Sequence, residues 1–241
     1  MISIVIPTYN RAAHLERLFW QVDKAMKQMG EYYELIIVDD ASKDTTSLVI
    51  RKLCKINHCI KGIILSDNVG QQNATLAGIR HAAGEIVVTL DDDLKYDPAT
   101  IKQLLEVYRQ GYDVVYGKVV KEKRRGFRSL GTAFKESLLF LLCKKPKDVQ
   151  LTSYKVMGGP VLAHICEDNH EKVYLSARLL QKTQNIINVK IADNNENLES
   201  TYSWCQLVEI TYNILKYYGP KPFNNRIKNK RAQYHIKEFI Q

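Results

Sequence analysis

Glu85-Ile86-Val87-Val88-Thr89-Leu90-Asp91-Asp92-Asp93 carries the clearest signal in this chain. Its first six residues form a short, mostly apolar run, the pattern of a strand buried on both faces. Three carboxylates follow in a row. Like charges that close repel and need a cation, a proton or solvent. Hard divalent cations with oxygen ligands are the natural partner. In an extended segment Asp91 and Asp93 point the same way and Asp92 points away. Asp91 and Asp93 can then hold one metal, directly or through water, against a diphosphate that departs as a leaving group. A solvated loop after a strand is the bland account of the same three residues.

Working outward, the N-terminal half alternates strands and helices. Strands are expected at Ile2–Pro7, Tyr33–Val38, Ile60–Leu65, Glu85–Leu90 and Asp113–Tyr116. Helices are expected at Ala12–Met29, stopped by Gly30, and through about Ile56, with Ser42 and Asp44 as caps. Two more are expected at Gln71–Ala83 and, after Pro98, at Ala99–Arg109. This order describes an α/β fold, a mostly parallel sheet with helices on both faces. Ligands of such sheets bind beyond the carboxyl ends of the strands. Pro7 to Arg11, Asp39 and Asp40, Asn68, and Asp91 to Asp93 all fall at those ends. One of Asp39 and Asp40 can accept hydrogen bonds from a nucleobase or ribose while the other caps the next helix; alternatively both only cap the turn.

After Gly117 the pattern loosens. An amphipathic helix is expected at Phe127–Cys143, a segment around Leu151–Ile165, a helix near Lys172–Gln181, a strand near Ile186–Ile191 and a helix at Tyr202–Tyr218. Gly219, Pro220 and Pro222 then break the chain before a basic tail.

The chain has 241 residues, of which 45% are apolar and 25% charged, which excludes disordered, collagenous and disulfide-framework classes. The formal net charge is +9. Gly117 to Lys155 carries net +8 and Lys216 to Gln241 net +6, so the remainder carries −5. Two basic patches on an acidic body point to an anionic partner. The five cysteines, Cys54, Cys59, Cys143, Cys166 and Cys205, read as reduced core thiols of a cytosolic protein. Met1 to Asn10 lacks the features of a signal peptide, and no run reaches the ~18 apolar residues that span a bilayer. No GxGxxG follows the first strand, and no GxxxxGK[ST] or HExxH occurs, which disfavours a dinucleotide enzyme, a P-loop nucleotidase and a zinc protease.

Four ordered motifs carry a resemblance. Ile4-Val5-Ile6-Pro7-Thr8-Tyr9-Asn10, Val38-Asp39-Asp40-Ala41-Ser42-Lys43-Asp44-Thr45, the pair Asn68-Val69-Gly70 and Ala77–Gly84, and Leu90-Asp91-Asp92-Asp93-Leu94-Lys95-Tyr96-Asp97-Pro98 resemble family-2 glycosyltransferases with the GT-A (Rossmann-like) fold. The nearest branch is the polyprenyl-phosphate sugar transferases of the dolichol-phosphate mannosyltransferase type. Asp148-Val149-Gln150-Leu151-Thr152-Ser153-Tyr154-Lys155-Val156 is similar to its Asp-Phe-Arg-Leu segment, and Leu198–Ser203 faintly to its Gly-x-Ser-x-Tyr-Ser. Lys95 stands in place of the branch's glutamine, Gln150 of its arginine and Leu198 of its glycine. The membrane helices that many branch members carry after the catalytic domain have no counterpart in this sequence.

The resemblance implies a GT-A domain over residues 1–218, with a nucleotide-sugar half (1–117) and an acceptor half (118–218), followed by a basic tail (219–241). It implies that Pro7, Tyr9, Arg11, Val38 and Asp40 line the nucleotide pocket with Asp39 nearby, and that Asp91 and Asp93 hold Mg²⁺ or Mn²⁺ with Asp92 adjacent. Lys95 adds positive charge, and Arg124, Arg125 and Arg128 lie where the branch places phosphate-contacting arginines. The reaction implied is an inverting transfer from a nucleoside-diphosphate sugar to a polyprenyl-phosphate or glycan acceptor of the cell envelope. A phosphate acceptor needs little help from a base, whereas a hydroxyl needs a carboxylate in reach. For that role Asp148 is the first candidate and Asp168 the second, beside Asp93 at the metal.

The aromatic helix Tyr202–Tyr218 and the basic tail lead to an expectation of peripheral attachment at the cytoplasmic membrane face; solvated disorder of the tail is the competing expectation. Two other functions compete with the transferase. A nucleotidyltransferase would need a glycine-rich basic loop after the first strand, which Pro7 to Arg11 is not. A non-enzymatic anionic-lipid or nucleic-acid-binding protein on a degenerate glycosyltransferase fold would use the basic patches, but no nucleic-acid motif accompanies them, and nucleic acid is not an expected partner.

Overall fold

The apolar runs of the N-terminal half become β1 (Ile2–Thr8), β2 (Tyr33–Asp39), β3 (Ile60–Leu65), β4 (Ile86–Thr89) and β5 (Val114–Val119). Between them lie α1 (Ala12–Met29), α2 (Thr46–Ile56), α3 (Gln71–Arg80) and α4 (Ile101–Tyr108). The computed structural model describes residues 1–119, 143, 145–192, 216 and 233–241. Its later elements are β6 (Lys155–Gly158), α5 (Pro160–Cys166), α6 (Leu175–Lys182), β7 (Ile186–Ile191) and β8 (Ile236–Ile240). The eight strands form one sheet in the order β7-β5-β6-β4-β1-β2-β3-β8.

β1 pairs in parallel with β2 and β4, β2 with β3, and β5 with β7. β6 runs antiparallel between β4 and β5. β1 to β5 and β7 therefore all end at one edge of the sheet, and β6 begins there. This is the mostly parallel sheet expected, with one reversed strand in its middle.

Alternate residues of each strand feed two cores. Val5, Ile36, Val38 and Ile63 face Ala74 and Ala77 of α3, Ile165 of α5 and Leu179 of α6. Ile4, Ile6, Leu35 and Ile37 face Leu18 and Phe19 of α1, Leu53 of α2 and Leu104 of α4. The α3 contact is close: a Cβ on Gly78 would lie 2.4 Å from Val5 Cγ1 and 3.0 Å from Val38 Cγ2. The small residue lets the helix lie down on the sheet.

Several boundaries differ from those read in the sequence, each for a hydrogen-bonding reason. α3 stops at Arg80, short of Ala83, because the Ala83 and Gly84 amides turn to the Glu34 carboxylate (2.6 Å) and the Ser3 hydroxyl (2.8 Å). α6 starts at Leu175, later than Lys172, because the Val173 and Leu175 amides donate to the side-chain carbonyls of Asn73 (3.0 Å) and Gln72 (3.2 Å) on α3. Ala99 lies inside a 3₁₀ turn, Pro98–Thr100, its amide capped by Asp97 at 2.9 Å, and α4 begins only at Ile101. Asp44 does cap the start of α2, accepting from the Thr46 amide at 2.9 Å; Ser42 instead accepts from the Asn10 amide.

Residues assigned above to a basic tail include an edge strand. β8 pairs antiparallel with β3, and Arg51 of α2 grips Glu238 through Nε (3.1 Å) and Nη2 (2.5 Å). Gln233 receives Arg80 Nη1 at 2.6 Å and donates to the carbonyls of Asp168 and His170. Disorder therefore does not describe 233–241. Cys54 and Cys143 are buried free thiols, but Cys59 is exposed and not the core thiol expected. Among the described residues, no helix is long and apolar enough to cross a membrane. The expected helices Phe127–Cys143 and Tyr202–Tyr218 fall almost wholly outside the described residues.

Candidate active site

The loops at the carboxyl edge of the sheet are stitched to one another by polar side chains. The loop after β1 is tied to the loop after β2. The Asn10 amide donates to Ser42 Oγ (2.8 Å), Asn10 Oδ1 accepts from the Lys43 amide (2.8 Å), and the Arg11 amide donates to Thr46 Oγ1 (3.1 Å). The loop after β2 is tied to the loop after β3 by Asp40. Its two carboxylate oxygens accept from the amides of Val69 (2.7 Å) and Gly70 (2.9 Å). Gln71, the first residue of α3, then donates to Oδ1 of Asp91 at 2.6 Å, and the Ser153 hydroxyl donates to Oδ2.

This edge also concentrates backbone strain. Asn10, Ala41 and Leu94 have φ of 54°, 59° and 58°, a left-handed conformation that costs a residue with a side chain roughly 1–2 kcal/mol. Each lies in a loop that follows a strand, β1, β2 or β4. Strain held in place by surrounding bonds is a mark of a functional edge.

The structure brings most of the expected residues to this edge. Pro7 and Val38 are register partners buried in β1 and β2, and neither presents a side chain to solvent. Tyr9 is exposed at 39%, and Arg11 is half-buried at the start of α1. Asp39 and Asp40 are both buried and their pKa values are raised, mainly by that burial. Their roles divide. Asp39 Oδ1 accepts from the Ser42 amide at 3.0 Å, while its buried Oδ2 has no hydrogen-bond partner among the described residues. Asp40 caps neither its own turn nor α2, and its carboxylate is fully used by the Val69 and Gly70 amides.

The aspartate triplet is not extended. Asp92 and Asp93 form a turn that Leu94 completes, so the simple alternation expected for a strand does not apply. Asp91 faces Gln71 and Ser153, Asp92 faces the Tyr9 amide and the Arg11 charge, and Asp93 accepts from the Lys95 amide at 3.1 Å. Burial pushes the Asp91 carboxyl up to about 6, helped by the charges of Asp93 and Asp92 and opposed by the Ser153 hydroxyl and Lys95. The Lys95 ammonium lies 4.9 Å from the centre of the Tyr96 ring.

Carboxylates that hold their charge at such a cost suit a divalent cation. No group of three His, Cys, Asp or Glu side chains surrounds a common metal position among the described residues. Two aspartates fit an ion that takes its other ligands from substrate phosphates and water, as Mg²⁺ does.

Three residues of this edge were not singled out from the sequence: Gln71, Ser153 and Lys155. Lys155, at the start of β6, is 3% exposed, and burial drives its ammonium down to about 8 while the Asp91 charge opposes the drop. A lysine inside the apolar run Tyr154–Met157 was the available signal.

Two proposed bases separate. Asp148 is exposed in the turn before Val149, on the segment that enters the carboxyl edge. Asp168 is fully buried beyond α5, where it accepts from the His170 amide (2.9 Å), pairs with the His170 ring (2.7 Å) and faces Arg178 at 3.7 Å. Its carbonyl accepts from Arg80 at the far end of α3, whereas Asp91 contacts the near end. The structure does not bring Asp168 to the strand-end cluster, because the Arg80–Gln233 network holds its segment along α3. Arg124, Arg125 and Arg128 lie outside the described residues.

Comparison with known proteins agrees with this architecture. The mannosyl-3-phosphoglycerate synthase of Rubrobacter xylanophilus superposes with a TM-score of 0.65 at 16% identity, over 90% of this chain and 72% of that one. The glucosyl-3-phosphoglycerate synthase of Mycobacterium tuberculosis, solved with Mn²⁺, UDP and phosphoglyceric acid, gives 0.64 at 18% identity, over 88% and 74%. At these identities the likeness is one of fold. Among curated relatives, the undecaprenyl-phosphate 4-deoxy-4-formamido-L-arabinose transferase of Proteus mirabilis is 32% identical over 222 residues, 89% of this chain and 66% of that protein. That of Shewanella sediminis is 29% identical over 221 residues, 89% and 65%. The chain thus spans just under two thirds of the length of these relatives. The model of the family described as "Glycosyl transferase family 2" matches residues 3–154, from β1 through the loop that carries Ser153. Most of the chain, including every stitched loop of the carboxyl edge, falls inside that match, and the protein belongs to glycosyl transferase family 2.

Proposed function

We propose that this chain transfers a sugar from a nucleoside-diphosphate sugar to a polyprenyl-phosphate acceptor, with inversion at the anomeric carbon, in the synthesis of a cell-envelope glycan. The observation that carries this reading is the edge itself. Asp39 Oδ2 at the end of β2, buried and without a partner among the described residues, and Asp91, just past β4, lie at one edge. A nucleoside diphosphate has groups suited to both, ring N–H or ribose hydroxyls for the first and a metal-bound diphosphate for the second.

The residues have separable tasks. Asp39 accepts from the base or ribose, and Tyr9 and Arg11 border that pocket. Asp91 and Asp93 hold Mg²⁺ or Mn²⁺. The metal, when bound, neutralises charge that develops on the departing diphosphate. Lys95 adds positive charge beside it. Asp40 fixes the loop before α3, and so the position of Gln71 and Asp91.

A phosphate acceptor is favoured over a hydroxyl because it makes no demand on a carboxylate base. Asp168, one of the two candidate bases, is engaged far from Asp91, and a phosphate oxygen attacks without deprotonation. The names of the relatives support the same acceptor class. Such a lipid implies work at a membrane surface, to which the basic stretches 117–155 and 216–241 would be drawn on the cytoplasmic face.

The test is direct. Purified protein with Mn²⁺ is offered a panel of nucleotide sugars, with undecaprenyl phosphate in detergent in one arm and oligosaccharides in the other. Glycosylated lipid phosphate and stoichiometric nucleoside diphosphate are expected in the first arm. Transfer only to oligosaccharide would overturn the acceptor, and no transfer in either arm would overturn the activity.

A further inference from the structure

We infer that Lys155 is the anion receptor for the acceptor, pairing its ammonium with the phosphate monoester that attacks the sugar. The inference rests on the polyprenyl-phosphate reading above and assigns that substrate a residue.

Lys155 is almost completely buried, yet among the described residues its charge has no partner of opposite sign in contact. No ion pair joins its Nζ to a carboxylate among the described residues, and the nearby Asp91 is engaged by Gln71 and Ser153. Among the described residues its one hydrogen bond is a long one, 3.4 Å, to the carbonyl of Ser153. The ammonium itself lies over the Tyr116 ring, 5.8 Å from its centre, a weak cation–π contact. An ammonium has three donors, and two of them meet no acceptor among the described residues. A buried cation this poorly compensated is costly to the fold, and an arriving anion would relieve that cost.

The placement is specific. By reaching back to Ser153, the side chain points toward the carboxyl edge and not along β6 into the core. The backbone that bears it is pinned on both sides. The Thr89 hydroxyl donates to the Ser153 carbonyl, the Gly117 amide to the Tyr154 carbonyl (3.0 Å), and the Thr152 hydroxyl to the Gly117 carbonyl (3.0 Å). In the strand order β2-β1-β4-β6, Asp39 marks the nucleoside end and Asp91 the diphosphate. Adjacent strands lie ~4.8 Å apart, so Lys155 stands about one strand beyond Asp91, on the side away from the nucleoside. That is where the nucleophile must approach. The reaction stays balanced there: the phosphate oxygen forms the new bond to the anomeric carbon, the bond to the diphosphate breaks, and Lys155 keeps its proton throughout.

The experiment is equilibrium titration of the full chain, loaded with Mn²⁺ and the nucleoside diphosphate it binds. The probes are farnesyl phosphate, inorganic phosphate and neutral farnesol. Lys155→Met keeps the length and apolar stem, and removal of a buried charge leaves the fold at least as stable. For Lys155→Met we expect farnesyl phosphate to bind about tenfold or more weakly, nucleoside diphosphate to bind within twofold of wild type, and farnesol to be indifferent. Lys155→Arg should restore part of the loss. Binding of inorganic phosphate with the same Lys155 dependence would assign the site to the phosphate group alone, and binding of farnesyl phosphate only would assign it to the lipid monoester. Equal farnesyl phosphate affinity in wild type and Lys155→Met, with wild type still glycosylating undecaprenyl phosphate, would overturn the role of Lys155 and leave the acceptor reading standing. A wild type that binds nucleotide but neither binds nor glycosylates a lipid phosphate would overturn both. Loss of nucleoside diphosphate binding in Lys155→Met would place the residue on the donor and overturn the inference.

Discussion

The Ser153 hydroxyl donates to Oδ2 of Asp91, joining the loop before β6 to the end of β4 across 62 residues of sequence. Gln71 holds the other oxygen. Asp91 is thus oriented from two sides before any cation arrives. Removing one orienting donor behind a metal ligand typically costs 10–100-fold in metal affinity. Ser153→Ala should weaken Mn²⁺ binding by about tenfold, and the metal-free protein should lose no more than about 1 kcal/mol. Mn²⁺ titration beside urea unfolding separates the two effects.

Asp91 also sets a pH dependence. Its carboxyl is raised to about 6 in the fold, above its value of roughly 3.9 in an unfolded chain. In the metal-free protein its contribution to stability is therefore full below about pH 4 and is lost as pH rises through about 6. Metal binding runs the opposite way, because the cation must displace the proton. Mn²⁺ affinity should fall by about tenfold per pH unit below that midpoint, and calorimetry should register proton release. Asp91→Asn should abolish both the binding and the slope.

The two aspartates of β2 should part company on mutation. Asp40→Ala leaves the half-buried Val69 and Gly70 amides without their carboxylate acceptor, at a cost of up to about 1 kcal/mol for each. Asp39→Asn removes a buried charge, one oxygen of which has no partner among the described residues. It should leave stability unchanged or slightly raised and weaken nucleotide binding by about tenfold or more. Denaturation midpoints and nucleotide titration on both variants would show the crossing.

The close contact of α3 with the sheet gives a purely structural prediction. Gly78→Ala places a methyl 2.4 Å from Val5 Cγ1, and overpacking of this kind costs about 1–3 kcal/mol. Urea unfolding should show the loss. α3 also carries Gln71, so nucleotide-dependent stabilisation should weaken with it.

How much of this was legible in the sequence follows from burial. β1 to β5 are covered on both faces, so they read as apolar runs ended by turn and acid residues. β8 was missed because His235-Ile236-Lys237-Glu238-Phe239-Ile240 is a half-exposed edge strand whose charges resemble those of a solvated tail. β6 was blurred into a longer segment because it is four residues long and carries Lys155. The site aspartates were visible as strand-end residues. Their division of labour was not, because it depends on distant partners: Val69 lies 29 positions from Asp40, and Arg80 lies 88 from the Asp168 carbonyl it holds. No local pattern encodes those pairings.

The most direct test of the central claim is nucleotide binding at the carboxyl edge. Thermal unfolding of the full chain is followed with UDP, GDP, dTDP and CDP, each with and without Mn²⁺, and repeated with Asp93→Ala. The account predicts that one nucleoside diphosphate raises the melting temperature, that it does so only with the metal, and that Asp93→Ala abolishes the gain. Folded protein indifferent to all four nucleotides with Mn²⁺ present would contradict it.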